Sequence, residues 1–81
     1  MIPELNQAMA LLQEVIEDNT VSKNIKAAAD SCIKILKDET CETCVKCDRA
    51  IQVLNITDDP NMNMYTKTLI WQVISLLESQ I

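Results

Sequence analysis

A chain of 81 residues, 48% of them hydrophobic, can build one core and has no length for a second, so residues 1–81 are read as a single helical domain. Glycine is absent, and Trp71 and Tyr65 are the only aromatic residues; this excludes glycine-cradled phosphate loops and dinucleotide fingerprints and predicts an aliphatic core. With 12 acidic against 7 basic residues and a net charge of -5, no positive stripe is available for nucleic acid or an anionic membrane.

The first helix is marked by Leu5, Met9, Leu12 and Ile16, stepping by four, three and four, with Ala8 and Val15 widening the stripe. Pro3 stands at its first turn, where proline is tolerated, and Asp18-Asn19-Thr20 breaks the pattern. In the second, Ile25, Ala28, Ala29, Cys32, Ile33 and Leu36 share one face, Ser22 is placed to cap the start, and the end is expected near Lys37-Asp38. The third runs from about Glu42 to Ile56 with Cys47, Ala50, Ile51 and Leu54 aligned, and stops before Thr57-Asp58-Asp59-Pro60-Asn61, where proline restricts the chain. The last begins at Asn63 or Met64 and places Leu69, Ile70, Val73, Ile74, Leu77 and Ile81 on one broad face.

Laying residues 8–36 over 49–77 brings Asp18 onto Asp59, Lys26 onto Lys67, Ile33 onto Ile74 and Leu36 onto Leu77. The loop followed by a lysine recurs, which suggests two helical hairpins related by a pseudo-repeat. Two hairpins leave apolar faces open unless they close on each other. The expected fold is therefore all-α, a compact four-helix up-and-down bundle made of two pseudo-repeated helical hairpins, with a two-unit solenoid fragment as the alternative.

Met1-Ile2-Pro3-Glu4 lacks the basic start and apolar run of a secretory signal, and no stretch approaches a membrane span. A cytoplasmic location is expected, where thiols stay reduced. The segment Cys41-Glu42-Thr43-Cys44-Val45-Lys46-Cys47 has C-x-x-C-x-x-C spacing, and Cys32 could add a fourth thiolate, so metal binding or redox chemistry is the alternative reading. Against it, Cys32 and Cys47 continue apolar helix faces, Cys44 lies at the edge of one, and only Cys41 falls off the core; unmodified cysteine is among the most buried residue types. No cofactor is expected. Catalysis is not expected either, since there is no histidine, no phosphate loop and no nucleophile with a recognisable base.

The segment Asp59-Pro60-Asn61-Met62-Asn63-Met64-Tyr65-Thr66-Lys67-Thr68-Leu69-Ile70-Trp71, together with Val21-Ser22-Lys23-Asn24-Ile25-Lys26, resembles uncharacterised protein family 0147, a group of short archaeal proteins. The Asp-Pro-Asn-Met run followed by a basic residue, Thr and Trp carries the resemblance, and Ser22 and Lys26 stand where that family usually has proline and arginine. The resemblance implies an all-helical bundle and assigns no activity.

The expected function is a non-catalytic module that binds a protein partner or a second copy of itself as a homodimer. An up-and-down bundle brings the loops at 18–22 and 59–63 to one end. Lys26, Asp59, Asn61, Lys67 and Trp71 are the candidate partner-binding residues. Lys67 and Trp71, four apart, share a helix face turned away from Ile70 and Val73. Because large aromatics are mostly buried, Trp71 is expected to close the side of the bundle, with a recognition anchor as the other reading.

Overall fold

The computed structural model describes residues 2–57, 59 and 62–81. It contains α1 (Pro3–Glu17), α2 (Lys23–Lys37), α3 (Thr43–Ile56) and α4 (Met64–Glu78). Pro3 opens α1, and its missing N–H costs nothing in a first turn. Ser22 caps α2, its hydroxyl accepting from Ile25 N–H, and Asn63 does the same for Thr66 N–H at the start of α4.

Helix ends explain how a chain without glycine turns. A left-handed residue after the last helical turn is the common stop, yet no described residue takes a positive φ. Here α1 and α2 end on Asp18 and Asp38 in extended backbone, φ -80° and -73°. Each aspartate then folds the chain back with its own carboxylate. Asp18 Oδ1 accepts from Thr20 N–H at 2.9 Å and from the Thr20 hydroxyl at 2.7 Å, and Asp38 holds Thr40 N–H at 2.9 Å and the Thr40 hydroxyl in the same way. The first two helices and the loops that follow them are thus near-equivalent units.

The four helices pack in a ring. α1 lies between α2 and α4, and α3 between the same two helices, with α1 and α3, like α2 and α4, on the diagonals. The α3–α4 seam is the most open of the four. A Cα radius of gyration of 11.6 Å matches the roughly 11.7 Å of a compact chain this long. That excludes the solenoid fragment.

Leu5, Leu12, Val15, Leu36, Val73 and Leu77 fill the centre with no exposed surface to speak of, joined by the thiols of Cys32 and Cys47. The expected α4 face is corrected at its end. The helix stops at Glu78, and Ile81, beyond a closing turn, is 66% exposed and outside the core. Among the described residues the only ion pair is Lys34–Asp30, at 3.0 Å and exposed, worth little to stability. No described helix is long and apolar enough to cross a membrane.

Candidate functional site

At one end of the ring the α1–α2 loop meets the start of α4. Asn63 Nδ2 donates to Thr20 Oγ1 at 3.5 Å, and the Tyr65 hydroxyl donates to the Glu14 carboxylate of α1. The phenol pKa is raised by that bond and by the Glu14 charge. Between the loops lies a cavity of about 160 Å³, lined by Ser22, Ile25, Asp59, Met62, Asn63 and Thr66 among others. Thr66 is 1% exposed and, among the described residues, its hydroxyl has no hydrogen-bond partner.

A second recess of about 240 Å³ runs down the α3–α4 seam, lined by Leu54, Met62, Lys67, Ile70, Trp71 and Ile74 with polar Asn55 and Thr57 beside them. Met62 lines both recesses, so they adjoin. On the α3 side the seam carries the polar side chains of Asn55 and, just past the helix, Thr57, beside Leu54. Trp71 stands on its edge, 60% exposed. The indole does not close the side of the bundle, contrary to the expectation from its size.

The structure thus brings Lys67 and Trp71 into one groove and sets Asp59 in the adjoining cavity. Lys26 lines neither, although the adjacent Ile25 lines the cavity; its charge acts on Asp18, whose carboxyl is held below the usual carboxylate range chiefly by the two Thr20 hydrogen bonds and in small part by Lys26. Asn61 lies outside the described residues.

The cysteines divide in two. Cys32 is fully buried, its thiol donates to Ala50 C=O at 3.5 Å, and burial pushes its pKa up to about 12. Cys47 is also fully buried and shifted up by burial, against the smaller opposing effect of Lys46. Cys41, half-buried, donates to Asp38 Oδ2 at 3.4 Å and accepts from the Arg49 guanidinium at 3.9 Å, while Cys44 is exposed. N-cap Glu42, extended at φ -65° and ψ 150°, breaks the helical row between Cys41 and Cys44. Among the described residues, no three Cys, Asp or Glu side chains are placed to hold a metal ion. The C-x-x-C-x-x-C spacing does not become a convergent thiolate set.

One residue the sequence reading passed over is Lys46. It is only 6% exposed, with its stem among the residues of α3's inner face and its ammonium donating to Asp38 C=O at 3.4 Å. The signal was present. Lys46 follows Asp38 by eight residues, as Lys26 follows Asp18, and its charge likewise helps hold the Asp38 carboxyl down, after the Thr40 and Cys41 hydrogen bonds.

Four antiparallel-neighbour helices packed around an aliphatic core define a small helical-bundle protein. The uncharacterised protein family UPF0147 matches residues 3–80, and the chain belongs to that family. Its relatives are archaeal: a UPF0147 protein of Thermococcus kodakarensis is 42% identical over 69 residues, covering 84% of this chain and 83% of the relative. One from Pyrococcus furiosus is 40% identical over 76 residues, 91% of this chain and 82% of its own. Among solved structures, the crystal structure of the unknown-function protein MMP1188 is similar, with a TM-score of 0.87 and 43% identity over 94% of this chain and 88% of that one.

Proposed function

We propose that the chain is a non-catalytic interaction module whose docking surface is the α3–α4 groove. The observation that supports it is Trp71, 60% exposed on the edge of a recess of mixed polar and apolar lining, with Lys67 beside it. An indole held on a rigid helix offers a large contact area at little entropic cost, and tryptophan is over-represented among the residues that dominate binding energy. The recess is apolar at its floor and carries one ammonium. It fits a helix that presents an apolar row with a carboxylate close by, as in helix-in-groove recognition. The chemistry of the chain agrees with this reading: the two thiols in the core are protonated and shielded, and the carboxylates lowered in pKa are engaged in turns.

Replacing Trp71 by a photo-crosslinking benzoylphenylalanine in the native host tests the reading. Illumination is expected to trap a protein adduct whose cross-linked peptide is an apolar helical segment, and the same group at Asp30, on an exposed face of α2, is expected to trap none. Equal adducts from both positions, or none from Trp71, would overturn it.

A further inference from the structure

The groove's edge carries a pattern that names its occupant. Along α4, Met64, Lys67, Trp71, Ile74 and Glu78 step by three, four, three and four, the spacing of the a and d positions of a heptad seam, and Ile81 follows beyond the turn that closes the helix. This row is separate from the core face of Leu69, Ile70, Val73 and Leu77. It is also largely uncovered. Met64 is 67% exposed, Trp71 and Ile81 nearly as much, Glu78 is exposed, and Lys67 and Ile74 are half-buried along the groove.

The row has an internal symmetry. Turned end for end about the point between Gln72 and Val73, it superposes Trp71 on Ile74 and Lys67 on Glu78. A two-fold interface requires that one patch be its own complement, and within the helix this row meets the requirement in both apolar character and charge. An antiparallel second α4 would set each indole against the other copy's Ile74 and each Lys67 against the other's Glu78. Parallel packing would instead place Lys67 on Lys67 and Glu78 on Glu78. Among the described residues neither Lys67 nor Glu78 has an ion-pair partner.

We propose that the chain forms a two-fold homodimer in which α4 packs antiparallel against α4 of a second copy, Trp71 entering the partner copy's groove beside Ile74 and Lys67 pairing with Glu78. The inference rests on the groove being a docking surface and deepens it by naming a second copy as the occupant. The open α3–α4 seam supplies the space, and the apolar area comes from the exposed members of the row, which on a monomer would be left in water. Charge complementarity fixes direction and register, its usual role in helix pairing.

Sedimentation equilibrium on the full chain decides it. Wild type is expected to dimerise at micromolar to tens-of-micromolar concentration, and Lys67→Glu or Glu78→Lys each to weaken dimerisation about tenfold or more, because each leaves like charges opposed. The double swap, Lys67→Glu with Glu78→Lys, is expected to restore dimerisation to within about threefold of wild type. Far-ultraviolet circular dichroism confirms that each variant keeps the helical fold. A wild-type chain that stays monomeric at several hundred micromolar, or a double swap no better than the singles, would overturn the proposal. The photo-crosslink at Trp71 separates the two failures: adducts to a different protein from a monomeric chain leave the docking groove standing and remove only the second copy.

Discussion

Asn63, one residue before α4, donates its side-chain amide to the hydroxyl of Thr20, 43 positions earlier, while its carbonyl oxygen holds Thr66 N–H at 2.8 Å. One side chain therefore both caps α4 and ties the first loop to the last. Ser22 caps α2 with a longer bond, 3.4 Å to Ile25 N–H, and makes no such cross-link. Removing a cap costs about 0.5–2 kcal/mol. Asn63→Ala is expected at the upper end of that range and Ser22→Ala at the lower, as read from urea unfolding of both variants. Equal losses, or a greater loss at Ser22, would show that the loop-to-loop bond contributes nothing.

Thr66 gives the opposite sign. Its buried hydroxyl meets no partner among the described residues, and an unsatisfied buried polar group costs about 1–3 kcal/mol. Valine has the same shape without the hydroxyl. Thr66→Val is expected to raise the unfolding free energy by about 1 kcal/mol. A fall on the same scale would mean that the hydroxyl is bonded in solution, by water in the adjoining cavity or otherwise.

The thiols make a test in pH and in reactivity. Burial raises the folded-state pKa of Cys32 to about 12 and that of Cys47 in the same direction, whereas in the unfolded chain a cysteine titrates near 8.5. The folded state thus holds protons that the unfolded state gives up. That contribution to stability is complete below about pH 8.5 and is lost as pH rises toward 12. Unfolding midpoints between pH 8 and 11 are expected to fall more steeply for wild type than for Cys32→Ala. In the folded protein, exposed Cys44 is expected to alkylate first and Cys41 next, with Cys32 and Cys47 modified only on unfolding. Trypsin separates the sets, since cleavage after Lys37 and Lys46 isolates Cys41 and Cys44 in one peptide.

Helix placement was legible from the sequence because aliphatic residues recur at three- and four-residue steps and Ser22 marks a start. The depth of Cys32 and Cys47 followed from the same stepping. Two things were not. Lys46 was passed over, yet it sits beside Cys47 and one turn before Ala50, and its long stem lets the ammonium reach the Asp38 carbonyl from a buried position. Trp71 was expected to be buried on the strength of its size. Its exposure depends on how far α3 stands from α4, a tertiary quantity that periodicity within one helix does not carry. The same holds for the candidate site: the four-residue step pairs Lys67 with Trp71 from sequence alone, but that the cavity takes in Ile25 and not the adjacent Lys26 is set by tertiary packing.

The account turns on Trp71 being a surface anchor and not a wall of the core, and the unfolding free energy of Trp71→Ala, measured at a concentration where the chain is monomeric, tests that directly. Truncating a fully buried residue such as Leu12 or Leu77 to alanine is expected to cost about 2–5 kcal/mol. Trp71, 60% exposed, is expected to cost about 1 kcal/mol or less, in the range of surface substitutions and partial burial. A loss of about 3–5 kcal/mol, equal to that of a buried aromatic, would place the indole in the core and contradict the docking surface.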